Sequence, residues 1–200
     1  FLTRIIAVKP DYNALSSETA LVALYNGTLE QGGNGCQMIK LSVIKLNNLQ
    51  FDSSMAIGED FYFLAKVIIA SDRVLVDDRE LYFYRRNEES AVHKAFNIKH
   101  FQAIANVQQA GKEMKVRSQA LTKAMNNNLF IASVSYGALM FSDRKKYSNE
   151  YEQILSTIRK LKYRTLFASG IKLKSRARAM IVIIFGTTLG LQVVKKLIRL

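Results

Sequence analysis

Residues 51–90 read FDSSMAIGEDFYFLAKVIIASDRVLVDDRELYFYRRNEES, and the fold class turns on this block. Gly58, Glu59 and Asp60 open a run, residues 61–70, whose apolar side chains cover more than one face of a helix. Two carboxylates suit a helix start, because the unpaired N–H groups of a first turn carry partial positive charge. Asp72 and Arg73 close the run. Residues 74–76 are predicted as a short strand, and Asp77-Asp78 as a turn before a second strand at residues 81–84. A polar, basic loop from Arg85 and Arg86 to Ser90 follows. The residues alone describe a helix with an acidic start and strands that carry two arginines to a loop. Glu59 and Asp60 also have a plain structural reading, as partners of the helix dipole.

Upstream, residues 1–8 are a strand-like apolar start interrupted by Arg4 and ended by Pro10-Asp11. Ser16 or Ser17 caps a predicted helix with Glu18 in its first turn and Leu21, Leu24 and Tyr25 on one face. Asn26-Gly27 stops it. Gly32, Gly33 and Gly35 lack the Gly-Lys-Ser/Thr ending of a phosphate-binding loop, so the segment reads as a flexible connection, with phosphate contact as the other reading. Cys36 reads as a small buried thiol, since no base is placed beside it. Residues 37–46 are predicted as a helix with Met38, Leu41 and Lys45 on different sides.

The order of these pieces resembles the second half of the catalytic domain of family 2 inverting glycosyltransferases, the GT-A enzymes of bacterial capsule, exopolysaccharide and lipopolysaccharide synthesis. IGED before an apolar helix is similar to that family's acidic motif, LYFYRRNEES to its Tyr-x-Tyr-Arg segment, GCQMIKLSVIKLNNLQFD to its Lys-Leu stretch, and SETALVALYNGT to the short helix before it. The likeness covers residues 17–97. It implies an α/β fold, the C-terminal half of a Rossmann-like GT-A domain over residues 1–97. A helical region at 98–165 and a basic, apolar, membrane-associated tail at 166–200 follow. It implies Asp60 as catalytic base with Glu59 beside it, Arg85, Arg86, Ser90 and Lys40 as substrate-binding residues, and a nucleotide-sugar donor with a saccharide or lipid-linked acceptor. The divalent metal, Mg or Mn, is expected on the family's Asp-x-Asp motif. No Asp-x-Asp occurs in this chain, so the chain is expected to be the C-terminal part of a longer protein and inactive alone. His93 is the remaining metal-ligand candidate, beside its plainer reading as a loop histidine.

Charge divides the chain sharply. Residues 1–97 carry 10 Lys or Arg against 12 Asp or Glu, whereas residues 98–200 carry 19 against 4, so the net +13 resides in the second part. Such asymmetry points to a polyanionic partner, nucleic acid or an anionic membrane. Helices are predicted across residues 97–139, with Gly111 as a possible interruption and Leu129, Ser133 and Tyr136 along the second segment. A further helix is predicted at 147–161, where Tyr151, Ile154, Leu155 and Ile158 follow helical spacing. After Glu152 no acidic residue occurs. Eight basic residues between Arg159 and Arg178 precede an uncharged run at 179–194, and Lys195, Lys196 and Arg199 close it. That run is short of the about 20 apolar residues of a spanning helix. It suits the membrane interface, with core packing and spanning as the other two readings.

One cysteine excludes an internal disulfide, and one Cys with two His assembles no zinc site. The expectation is therefore a glycosyltransferase piece at the cytoplasmic face of the bacterial inner membrane, bound peripherally to anionic lipid and not to nucleic acid. The alternatives are a basic helical nucleic-acid-binding module, whose basic residues match no recognised motif, and an inactive membrane-associated scaffold.

Overall fold

The computed structural model describes residues 13–29, 37–55, 57–77, 98–114 and 118–198. Strand β1 (Asn13–Ser16) leads directly into α1 (Ser17–Asn26). The Ser16 hydroxyl accepts the Thr19 N–H at 3.2 Å, and the helix ends at Gly27. Helix α2 (Leu41–Leu46) is short and has no buried residue, so the predicted helix over 37–46 loses residues 37–40: Lys40 is the N-cap, in extended backbone. Helix α3 (Glu59–Ile69) buries Phe63, Ala65, Val67 and Ile68. Strand β2 (Arg73–Val76) then runs antiparallel to β1, pairing Asn13 with Val76 and Ser16 with Arg73. The Ser17 hydroxyl donates to the Ser71 carbonyl beside this ribbon.

The remainder is helical: α4 (Ile98–Lys112), α5 (Gln119–Met140), a short 3-10 turn (Phe141–Asp143), α6 (Ser148–Leu166), α7 (Leu173–Ile184) and α8 (Thr187–Ile198). The Ser118 hydroxyl caps α5 by accepting the Leu121 N–H at 3.1 Å, and the Ser118 N–H in turn donates to the Glu18 carboxylate at the start of α1. In α6 the predicted face is the buried one, Tyr151, Ile154, Leu155 and Ile158. Gly111 does not interrupt α4; it lies in the last turn, and a Cβ there would come 2.8 Å from the Tyr25 hydroxyl.

Two apolar clusters result. The front one joins α1 and α3 to Ala110 of α4 and to Leu121, Ala124 and Met125 of α5. The back one gathers Phe130 and Val134 of α5 with α6, Ala179 and Val182 of α7, and Leu191 and Val194 of α8. The larger of these side chains, Leu, Val, Ile, Phe and Met, contribute roughly 1.5–3 kcal/mol each when fully buried. Helix α5, about 33 Å long at 1.5 Å per residue, is common to both. At the crossover, the buried Asn127 amide donates to the Asn26 side-chain oxygen at 3.1 Å.

This architecture overturns the α/β expectation. Helix accounts for 71% of the described residues, and their sheet is one two-stranded ribbon, which does not fit half of a Rossmann-like GT-A domain. Such a domain needs parallel strands joined by crossovers. The apolar stretch at 74–76 is a strand as predicted, but its partner is the antiparallel β1, four residues long. The strands predicted at 1–8 and 81–84 lie outside the described residues.

Candidate functional site

The candidate site is the start of α3. Gly58, its N-cap, has φ 78° and ψ 11°, a left-handed conformation that glycine adopts without the penalty other residues meet. Gly58 lies against α4: a Cβ there would be 3.6 Å from both Ala103 and Val107. No side chain caps α3 from the N-cap position, and the two acidic residues of its first turn are Glu59 and Asp60. Both are half-buried. One Asp60 carboxylate oxygen accepts the Phe61 N–H at 2.7 Å. A carboxylate offers about four lone-pair sites, so this bond leaves Asp60 with further accepting capacity.

Aromatic packing holds the helix start. Phe61 meets the Tyr25 ring edge-on, with centroids 5.2 Å apart and planes at 70°, and Phe63 stacks on Phe51 at 4.0 Å and 16°. The Tyr25 hydroxyl donates to the Val107 carbonyl at 2.7 Å, tying α1 to α4 behind the site. Burial raises the Tyr25 hydroxyl well above the usual tyrosine range, and a backbone hydrogen bond from Gly111 offsets part of this.

Two polar neighbourhoods flank α3. Tyr136 of α5 is raised by burial first and by the negative charge of Asp60 second, which brings α5 into electrostatic reach of the carboxylate. On the other flank, Lys66 lies 5.3 Å over the Tyr62 ring, and the Tyr62 hydroxyl donates to Glu113 at 3.5 Å. Burial, and then Glu113 and Asp52, raise Tyr62. Asp52 is lowered, chiefly by the hydroxyl and backbone N–H of Ser54.

Glu59 and Asp60 thus come together at one helix start. Lys40 is exposed at the start of α2, a separate element. Arg85, Arg86, Ser90 and His93 lie outside the described residues, as do Cys36 and the glycines at 32, 33 and 35. Tyr136 is the neighbour that residue order does not reveal: it is 76 positions from Asp60, and only the helical spacing of α5 hinted at its face. Among the described residues no group of three or more His, Cys, Asp or Glu converges, so none of them is assigned as a metal ligand. No family model, curated protein or solved structure matches the chain.

Proposed function

We propose that this chain is part of an inverting glycosyltransferase of cell-surface polysaccharide synthesis, with the chemistry at the start of α3. The observation that carries it is the pair of half-buried carboxylates on an N-terminus without a side-chain cap, in the motif order that resembles the family. The proposal concerns chemistry at one helix start and does not include an α/β half-domain.

In this mechanism Asp60 accepts the proton of an acceptor hydroxyl as that oxygen attacks the anomeric carbon of a nucleotide sugar. The carbon–oxygen bond to the diphosphate breaks on the opposite face, and its electron pair leaves with the nucleotide. The base role requires Asp60 to accept that proton as a carboxylate. Glu59 holds the turn or an acceptor hydroxyl. Arg85, Arg86 and Ser90 meet the diphosphate, since guanidinium pairs well with phosphate oxygens, and Lys40 adds cationic charge. A divalent metal would supply charge neutralisation for the diphosphate, and none of the described residues is assigned to hold it.

The test is release of nucleoside diphosphate by the intact protein from a panel of nucleotide sugars, with membrane extract as acceptor. Asp60→Asn keeps the shape and removes the base. It is expected to lower turnover by about 10²–10⁴-fold while nucleotide binding persists. An Asp60→Asn protein as active as the parent would show that Asp60 only starts a helix.

A further inference from the structure

The uncharged run at 179–194 is not one helix. It is a hairpin of α7 and α8, turned at Gly186 with φ 73°. The two helices approach closely at Gly190, where a Cβ would come 2.8 Å from the Val182 Cα. Helix α7 has 12 residues, about 18 Å at 1.5 Å per residue, against the ~30 Å of a hydrocarbon core. Among the described residues no helix is long and apolar enough to cross a membrane.

Helix α7 is apolar on two opposite sides. Ser175, Ala179 and Val182 are buried against the protein. Leu173, Ala177, Met180 and Ile184, spaced four, three and four residues apart, form a stripe on the far side and are all exposed. Leu173 is 81% exposed and Ile184 68%, and Phe185 at the turn is 50% exposed. A surface helix of a globular protein normally puts polar residues there. Lys172 and Lys174 flank the stripe and are exposed. The neighbouring arginines are tied down, Arg176 donating to the Ala168 carbonyl at 2.8 Å and Arg178 to the Ser135 hydroxyl at 3.2 Å.

We propose that this outer stripe of α7, with Phe185, is a docking face for an anionic lipid bilayer, on which the helix lies parallel to the surface. The apolar stripe enters the acyl boundary while the lysines reach head-group phosphates. Charge selects the occupant. Residues 153–200 carry 11 basic and no acidic residues, so a second copy of this segment would bring like charges together with no carboxylate between them. Nucleic acid would satisfy the lysines but leave the stripe in water. This inference is independent of the sugar-transfer chemistry, and either can fail alone.

The chain has no tryptophan, so Met180→Trp places a single reporter on the stripe. With phosphatidylcholine vesicles containing phosphatidylglycerol, its emission is expected to shift to the blue and to be quenched by brominated acyl chains. Vesicles of phosphatidylcholine alone, or added salt, weaken both effects. In the otherwise unchanged protein, the exposed-site pair Leu173→Gln and Ile184→Gln should lower vesicle partitioning by roughly tenfold or more while circular dichroism stays the same. Lys172→Gln with Lys174→Gln should also weaken it by about tenfold and flatten its salt dependence. No shift or quenching with anionic vesicles overturns the proposal. So does a lipid-independent blue shift that grows with protein concentration alongside a dimer in sedimentation, and so does salt-sensitive RNA or DNA binding without vesicle binding.

Discussion

Tyr25 shows how one buried hydroxyl links stability to pH. The fold holds the protonated form, which donates to Val107, and burial raises its ionisation above that of a free tyrosine. An unfolded chain ionises this group near pH 10. Between that pH and the higher folded value only the unfolded state loses the proton, so stability falls as pH rises, by about 1.4 kcal/mol per unit for this residue. Denaturant midpoints measured from pH 9 to 11.5 should therefore decline (roughly the range where free tyrosine ionises). Tyr25→Phe should cost about 1 kcal/mol at neutral pH and make the alkaline decline shallower. An unchanged alkaline slope would mean that Tyr25 ionises equally in both states. Tyr62, Tyr136 and Tyr151 are also raised by burial, so the slope should shrink without vanishing.

At the scale of elements, Gly190 sets the approach of α7 and α8. Alanine is favoured over glycine within a helix by about 1 kcal/mol, so propensity alone predicts that Gly190→Ala stabilises. The contact predicts the opposite, because the obstructing Val182 atom belongs to the backbone and cannot rotate away. Thermal unfolding should show a net loss of roughly 1–3 kcal/mol; a gain would mean that the hairpin opens readily. Elements with their own local signals were legible in the sequence. Ser16 and Asn26-Gly27 bracket α1, the acids mark the start of α3, and helical spacing marks α6. Elements made by distant partners were not. The residues of β1, Asn-Ala-Leu-Ser, carry no strand pattern and pair only because β2 lies alongside. The α/β expectation failed for the same reason, since a motif order locates a helix and a strand without stating how many strands adjoin them. Of the site, the two carboxylates at a helix start were legible. Tyr136 was not, since it is 76 positions from Asp60 and packs against the back cluster.

For the whole molecule, α5 is the common member of both clusters and α2 belongs to neither. Local opening costs least where few apolar contacts are lost. Native-state hydrogen exchange should find the amides around Phe130 and Val134 among the slowest and those of α2 among the fastest. Exchange in α5 as rapid as in α2 would contradict the common-spine arrangement. The clusters are also nearly separate along the chain, the front one drawing on residues 20–125 and the back one on 130–194. During vectorial synthesis the front cluster has all its members before α6 emerges, and domains generally fold as they are made. The second half of α5 waits longer. Phe130, Val134 and Ala138 face solvent until α6, α7 and α8 have been translated, so the nascent chain passes through a stage in which a folded front carries an uncovered apolar helix, a natural substrate for a chaperone.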